Sequence, residues 1–188
     1  TKAQPREVEE TINTLRVYAF YGDKLAGYAT RQATALNDPF YMDLELPESG
    51  THDVEFYLIA NEAEMADQQG TVQLTSTMTK AQLEAIRFTG LVHRTILPMY
   101  CKQTVALNVD RHMDTANTAN GHLGHFILEQ KITFVLSRSL AKLSVYAAKV
   151  EGASAVPQVL SVNLLANGTR QYSYLFPQTD AVLNAVAS

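Results

Sequence analysis

The 188-residue chain has a single cysteine, Cys101, so no internal disulfide can form and disulfide-stapled scaffolds are excluded. A lone cysteine behaves as a small packed hydrophobe, and a nucleophilic role would need a positioned histidine that no motif here supplies. Long apolar runs are also missing: each spans only a few residues, too short to cross a roughly 30 Å hydrocarbon layer as a helix. No basic, apolar leader opens the chain, so any export signal is expected to have been removed ahead of Thr1 or to lie outside this sequence. Charged residues make up only 18%, with no basic run interleaved with aromatics, which argues against a nucleic-acid partner. GxSxG, HExxH, Walker and GxGxxG signatures are all absent, and the expectation is a protein that is not an enzyme and needs no cofactor.

What is present suits a globular fold. Hydrophobic residues reach 46%, far from the low-hydrophobicity signature of disorder, and the length fits one core. The net charge is −4, unevenly spread: residues 1–70 carry 13 acids against 5 bases, and the rest carry 6 against 10. Either β topology interleaves the two halves and cancels the asymmetry, or the subunit is polar and its opposite ends attract when stacked.

Residues 1–11 are polar and read as a flexible lead-in. From Ile12 to Phe20, Leu15, Val17 and Ala19 alternate with Arg16 and Tyr18, predicting a strand with one face buried before the Tyr21-Gly22-Asp23 turn. Phe40, Met42, Leu44 and Leu46 alternate in the same way, as do Val54, Phe56, Leu58 and Ala60, and the two runs are expected to pair across the Glu48-Ser49-Gly50 turn. Between Thr79 and Phe88 the period changes. Thr79 with Gln82 fits a capping box, and Gly90 stands where a helix would end, predicting one short helix over about 79–89. Strands are expected to resume at Thr104–Val109, Phe126–Leu128, Lys131–Val150 with a register shift near Arg138–Lys142, Val159–Leu165 and Tyr172–Phe176. About eight strands without a βαβ rhythm predict an all-β, antiparallel sandwich.

Candidate sites are few. In Gly121-His122-Leu123-Gly124-His125, His122 and His125 are the best metal candidates, with His93 and His112 upstream, but no Cys or acidic partner stands at zinc-motif spacing. The pairs Asp43 with Glu45, and Glu62 with Glu64, read as the solvated face of a strand rather than as glycosidase carboxylates. Tyr172 with Tyr174, and Tyr18 with Tyr28, offer a sugar-stacking platform or ordinary sheet packing.

Five segments, taken in order, resemble the fimbrillins, the major subunits of Bacteroidia (type V) fimbriae. They are Ile12–Phe20, Phe56–Glu62, Leu97-Pro98-Met99-Tyr100, Ser137–Val145 and Tyr174-Leu175-Phe176-Pro177. The resemblance implies a transthyretin-like Greek-key β-sandwich forming the N-terminal domain of a two-domain subunit. Residues 12–177 would be that domain, and 178–188 a tail or the start of an interdomain linker. It further implies a cell-surface fimbrium, export through the outer membrane as a lipoprotein precursor, and cleavage by an Arg- or Lys-specific protease, for which Arg6 is the candidate and Arg16 a poorer one. Its partners would be other fimbrial subunits, joined by donor-strand exchange, and possible host glycans or proteins met in adhesion. Asp114-Thr115-Ala116 matches the short sequence that Bacteroidia glycosylate, with Thr115 as acceptor. The alternatives carried forward are an adhesin, tip or anchor domain of the same system, and a metal-assisted hydrolase at His122 and His125.

Overall fold

The computed structural model describes residues 11–32, 42–47, 50–67, 70–71, 73–92, 96–109, 130–140, 152, 154 and 172–178. Its centre is a five-stranded antiparallel sheet in the order β2-β1-β3-β8-β9. The strands are β1 (Thr14–Tyr21), β2 (Lys24–Gln32), β3 (Gly50–Ala60), β8 (Met99–Val109) and β9 (Ser137–Arg138). A three-stranded sheet joins β4 (Met65–Asp67), β5 (Gly70–Thr71) and β7 (Gly90–Leu91), and β6 (Arg87–Phe88) pairs with β10 (Ser173–Tyr174). The all-β antiparallel class is as predicted.

The alternation in β1 and β3 predicts one buried face, yet both faces are covered. Leu15, Val17, Ala19, Val54, Phe56, Leu58 and Ala60 share one core with Met99, Cys101 and Leu107. Tyr18, Phe20, Tyr57 and Ile59 form a second core on the opposite face with Met65, Leu83, Phe88, Leu175 and Phe176. Tyrosine in the intervening positions made the second face look polar, but its ring carries most of its surface and buries well when the hydroxyl finds a partner. Tyr18 does so by donating to the Thr75 carbonyl at 2.6 Å.

The helix, α1 (Lys80–Glu84), is shorter than the 79–89 expected. Its capping box is as read: Thr79 Oγ1 accepts from Gln82 N, and Gln82 Oε1 accepts from Thr79 N at 2.9 Å. It stops at Ala85 rather than near Gly90 because the following residues are used elsewhere. The Ile86 carbonyl accepts from Leu175 N at 2.9 Å, and Arg87 and Phe88 pair with Tyr174 and Ser173. Gln178 also stays attached, donating to the Glu84 carbonyl at 2.8 Å.

The expected strand at Phe40–Leu46 is described from Met42 onward, and there it is extended without a ladder. Met42, Leu44 and Leu46 turn inward against the first core while Asp43, Glu45 and Pro47 face solvent, so the period is right. Its neighbour is not β3, whose two edges are taken by β1 and β8. Instead it crosses β2, touching it by a hydrogen bond from Glu45 N to the Ala26 carbonyl at 2.7 Å and an exposed Lys24–Glu45 ion pair at 2.9 Å. Gly27 makes the crossing possible. A Cβ there would stand 2.5 Å from Leu44 Cδ2 and 2.7 Å from the Asp43 carbonyl oxygen.

Three further expectations changed. Strand β2 was missed because Gly27 interrupts a run of mixed polarity. Strand β8 begins at Met99, five residues before the expected Thr104. Among the described residues of the run from Lys131, residues 131–136 carry no ladder, Ile132, Phe134 and Leu136 pack on the first core, and Ser137 and Arg138 form strand pairs. The predicted strands at Phe126–Leu128 and Val159–Leu165, and the run beyond Leu140, lie outside the described residues.

Gly27→Ala is expected to lose roughly 1–3 kcal/mol in denaturant unfolding, the usual range for overpacking. Gly90→Ala, where an added Cβ meets nothing within 4 Å, should change stability by less than about 0.5 kcal/mol.

Candidate functional site

Where β1 begins, the chain must leave β3 and return, and Asn61 makes that junction. It follows the last residue of β3 with φ 58° and ψ 42°, the left-handed region that asparagine tolerates better than other side-chain-bearing residues. The residue is 2% exposed, and its side-chain oxygen and nitrogen both have partners. Its Oδ1 accepts from Asn13 N at 2.8 Å, and its Nδ2 donates to the carbonyls of Thr11 and Leu97, each at 2.9 Å. Its backbone N–H donates to the Thr14 carbonyl at 3.0 Å. One buried amide therefore ties the approach to β1, the end of β3 and the approach to β8 together.

Directly beside this junction lies an open groove of about 620 Å3, lined by Ile12, Met99, Leu136, Ser137, Arg138 and Leu140. Ile12 sits between two residues held by Asn61, and Met99 lies two residues after Leu97, so Asn61 sets the spacing of one wall. The other wall is the β9 region, anchored by pairing of Ser137 and Arg138 with Tyr100 and Met99 and by Ser139 N donating to the Pro98 carbonyl at 3.2 Å. Ser139 Oγ is buried and finds no hydrogen-bond partner among the described residues. Apolar side chains with a backbone edge at the rim can hold an extended segment.

Ionic groups on the opposite face are engaged structurally. Glu55 pairs with Lys80 at 2.5 Å and with Lys102 at 3.1 Å, while Lys102 reaches Glu84 at 2.6 Å and the Tyr57 hydroxyl lies 2.8 Å from Glu84. This cluster fastens α1 to β3 and β8. Burial alone would raise the Glu55 carboxyl, but hydrogen bonds from Lys80 and Lys102 outweigh it and hold it below the usual glutamate range. The hydrogen bond from Lys102, then that from Tyr57, holds Glu84 down as well. Burial, then the hydrogen bond to Glu84, pushes the Tyr57 hydroxyl up.

Arg16, the poorer cleavage candidate, is half-buried in a fork with Glu62, Nε to Oε2 and Nη2 to Oε1 both at 2.5 Å, and also donates to the Tyr28 hydroxyl. That leaves Glu62 paired, and Glu64 is buried, so this acid pair is not a solvated strand face. Asp43 and Glu45 are exposed as expected. Tyr18 is fully buried, which removes the Tyr18–Tyr28 pair as a surface platform. Tyr172 and Tyr174 do stand together, both partly exposed, with ring centroids 5.6 Å apart. Cys101 is buried, and burial raises its thiol. Arg6, Thr115, His122 and His125, with His93 and His112, lie outside the described residues. Sequence reasoning missed Asn61, although an asparagine straight after a strand and before acids is a recognisable left-handed turn signal.

No protein-family model matches the chain, and no curated protein matches it significantly. Among solved structures, a fimbrial assembly protein from Parabacteroides distasonis ATCC 8503 superposes with a TM-score of 0.40 at 13% identity, covering 57% of this chain. The match covers 48% of that protein's chain, so the present chain spans about half of it. A likeness of this extent fixes neither fold nor function.

Asn61→Ala leaves buried groups unpaired and a left-handed residue with a Cβ, and should cost about 2–4 kcal/mol in urea unfolding. Asn61→Gly loses the same bonds but keeps φ 58° without strain, and should be about 1 kcal/mol milder.

Proposed function

We propose that the chain is a non-enzymatic structural subunit of a bacterial surface fimbria, polymerising by donor-strand exchange and supporting cell adhesion. The observation that carries this reading is that the described parts of the five fimbrillin-like segments form one connected unit. Strand β1 pairs with β3, β3 with β8 and β8 with β9. Phe176 stacks edge-on against Tyr57 and Tyr100 at 5.3 and 5.6 Å. Segments that resemble a family in order along the chain and are also joined to one another by strand pairing and ring packing support a shared framework better than scattered matches would.

On this reading the groove beside Ile12 receives an extended strand from the next subunit. Its backbone N–H and C=O groups would pair with β9, the last strand of the sheet among the described residues, while alternate side chains pack against Ile12, Leu136 and Leu140. Cleavage at Arg6, six residues ahead of Ile12, would remove the N-terminal strand that the family's subunits exchange for a neighbour's. The chain would belong to a transthyretin-like Greek-key domain of a longer subunit, exported as a lipoprotein precursor through the outer membrane, with Thr115 as its glycan acceptor.

The test is electron microscopy of the full-length subunit after treatment with an Arg-specific protease. Filaments are expected from the native protein, and Ser137→Arg, which places a charge in the groove at an exposed position, should prevent them without unfolding the monomer. A native subunit that stays monomeric after complete cleavage contradicts a shaft role.

A further inference from the structure

The ribbon of β6 and β10 has two unlike faces. Phe88, opposite Ser173, is 1% exposed and enters the second core, as does Leu175 at 1%. By the two-residue period of a strand, Tyr172 and Tyr174 stand on the other face, joined by Arg87, the cross-strand partner of Tyr174. These three side chains are not needed to close the core, yet they are organised. The Arg87 guanidinium carbon lies 4.6 Å from the Tyr172 ring centroid, and the two tyrosine rings meet at 84°. The rings meet edge to face, with a cation against one of them.

Stacking occupies the face of a guanidinium and leaves its in-plane N–H donors directed outward. No carboxylate among the described residues pairs with Arg87, in contrast to Arg16, whose fork is taken by Glu62. We propose that Arg87, Tyr172 and Tyr174 form a binding subsite for a carboxylate-bearing sugar residue. The sugar's apolar C–H face packs on a tyrosine ring, its hydroxyls meet the phenolic oxygens, and its carboxylate takes two parallel hydrogen bonds from Arg87. One cation beside two mutually perpendicular rings suits a single ring-shaped residue with one acid group better than an acidic peptide, whose carboxylates come without a flat apolar face. The site does not depend on strand addition, and a chain that never polymerises retains it.

The experiment uses the monomeric chain and titrates oligogalacturonate, the neutral galacto-oligosaccharide of equal length, and a polyglutamate peptide. Calorimetry gives affinity, and the ring-proton resonances of Tyr172 and Tyr174 report location in the unmodified protein. Oligogalacturonate should bind and shift both tyrosines, and the neutral sugar should bind at least about tenfold more weakly. Arg87→Gln should lose about tenfold or more, and Arg87→Lys should recover only part of that because a point charge lacks the fork. The absence of oligogalacturonate binding, equal binding of the neutral sugar, preference for polyglutamate, or binding that leaves both tyrosine signals unmoved would each overturn the proposal.

Discussion

Burial of both faces of β1 and β3 is the constraint on which the other described elements depend. A sheet covered on one side needs one layer of packing, but here Tyr18, Phe20, Tyr57 and Ile59 need cover as much as Val17, Phe56 and Leu58 do. Fully burying an aromatic or large aliphatic side chain contributes roughly 1.5–3 kcal/mol, so neither face can be left open cheaply. On one side the cover is α1 with the β6–β10 ribbon, fastened by the Glu55, Lys80, Lys102 and Glu84 cluster. On the other it is the extended segments 42–47 and 130–136, held chiefly by side-chain packing. The second cover is admitted by Gly27, whose missing side chain lets Leu44 descend onto the sheet.

The same constraint sets up the groove. Strand β3 must end where β1 and β8 both begin, and three backbone segments converge there with polar groups that need partners. Asn61 satisfies them with one side chain, and in doing so places Ile12 and Met99 along the groove. The junction stands beside the groove where the proposed incoming strand would lie, which links the packing of this chain to its proposed assembly.

Strand periodicity carried most of what was legible. The alternations at Leu15–Ala19 and Val54–Ala60, the Thr79–Gln82 capping box and the absence of catalytic motifs were readable because each is a local pattern. The second core was misjudged because tyrosine satisfies both a polar and an apolar pattern, and only the location of its hydroxyl partner, as with Tyr18 and Thr75, separates them. Partnering of residues 42–46 was misassigned because period fixes which side chains turn inward, not which strand lies alongside. The groove brings together Ile12, Met99 and Leu136 from distant stretches of chain, and no local pattern announces such a meeting. Arg87 was likewise invisible until strand pairing set it beside Tyr174.

Residue-resolved hydrogen exchange on the native chain tests the two-sided sheet most directly. Amides of β3 between Phe56 and Ala60, with their partners in β1 between Leu15 and Ala19, should be the slowest to exchange and should open together at the free energy of global unfolding. Exchange in β3 as fast as at Thr30 and Gln32 of β2, at the sheet's edge, would contradict the account.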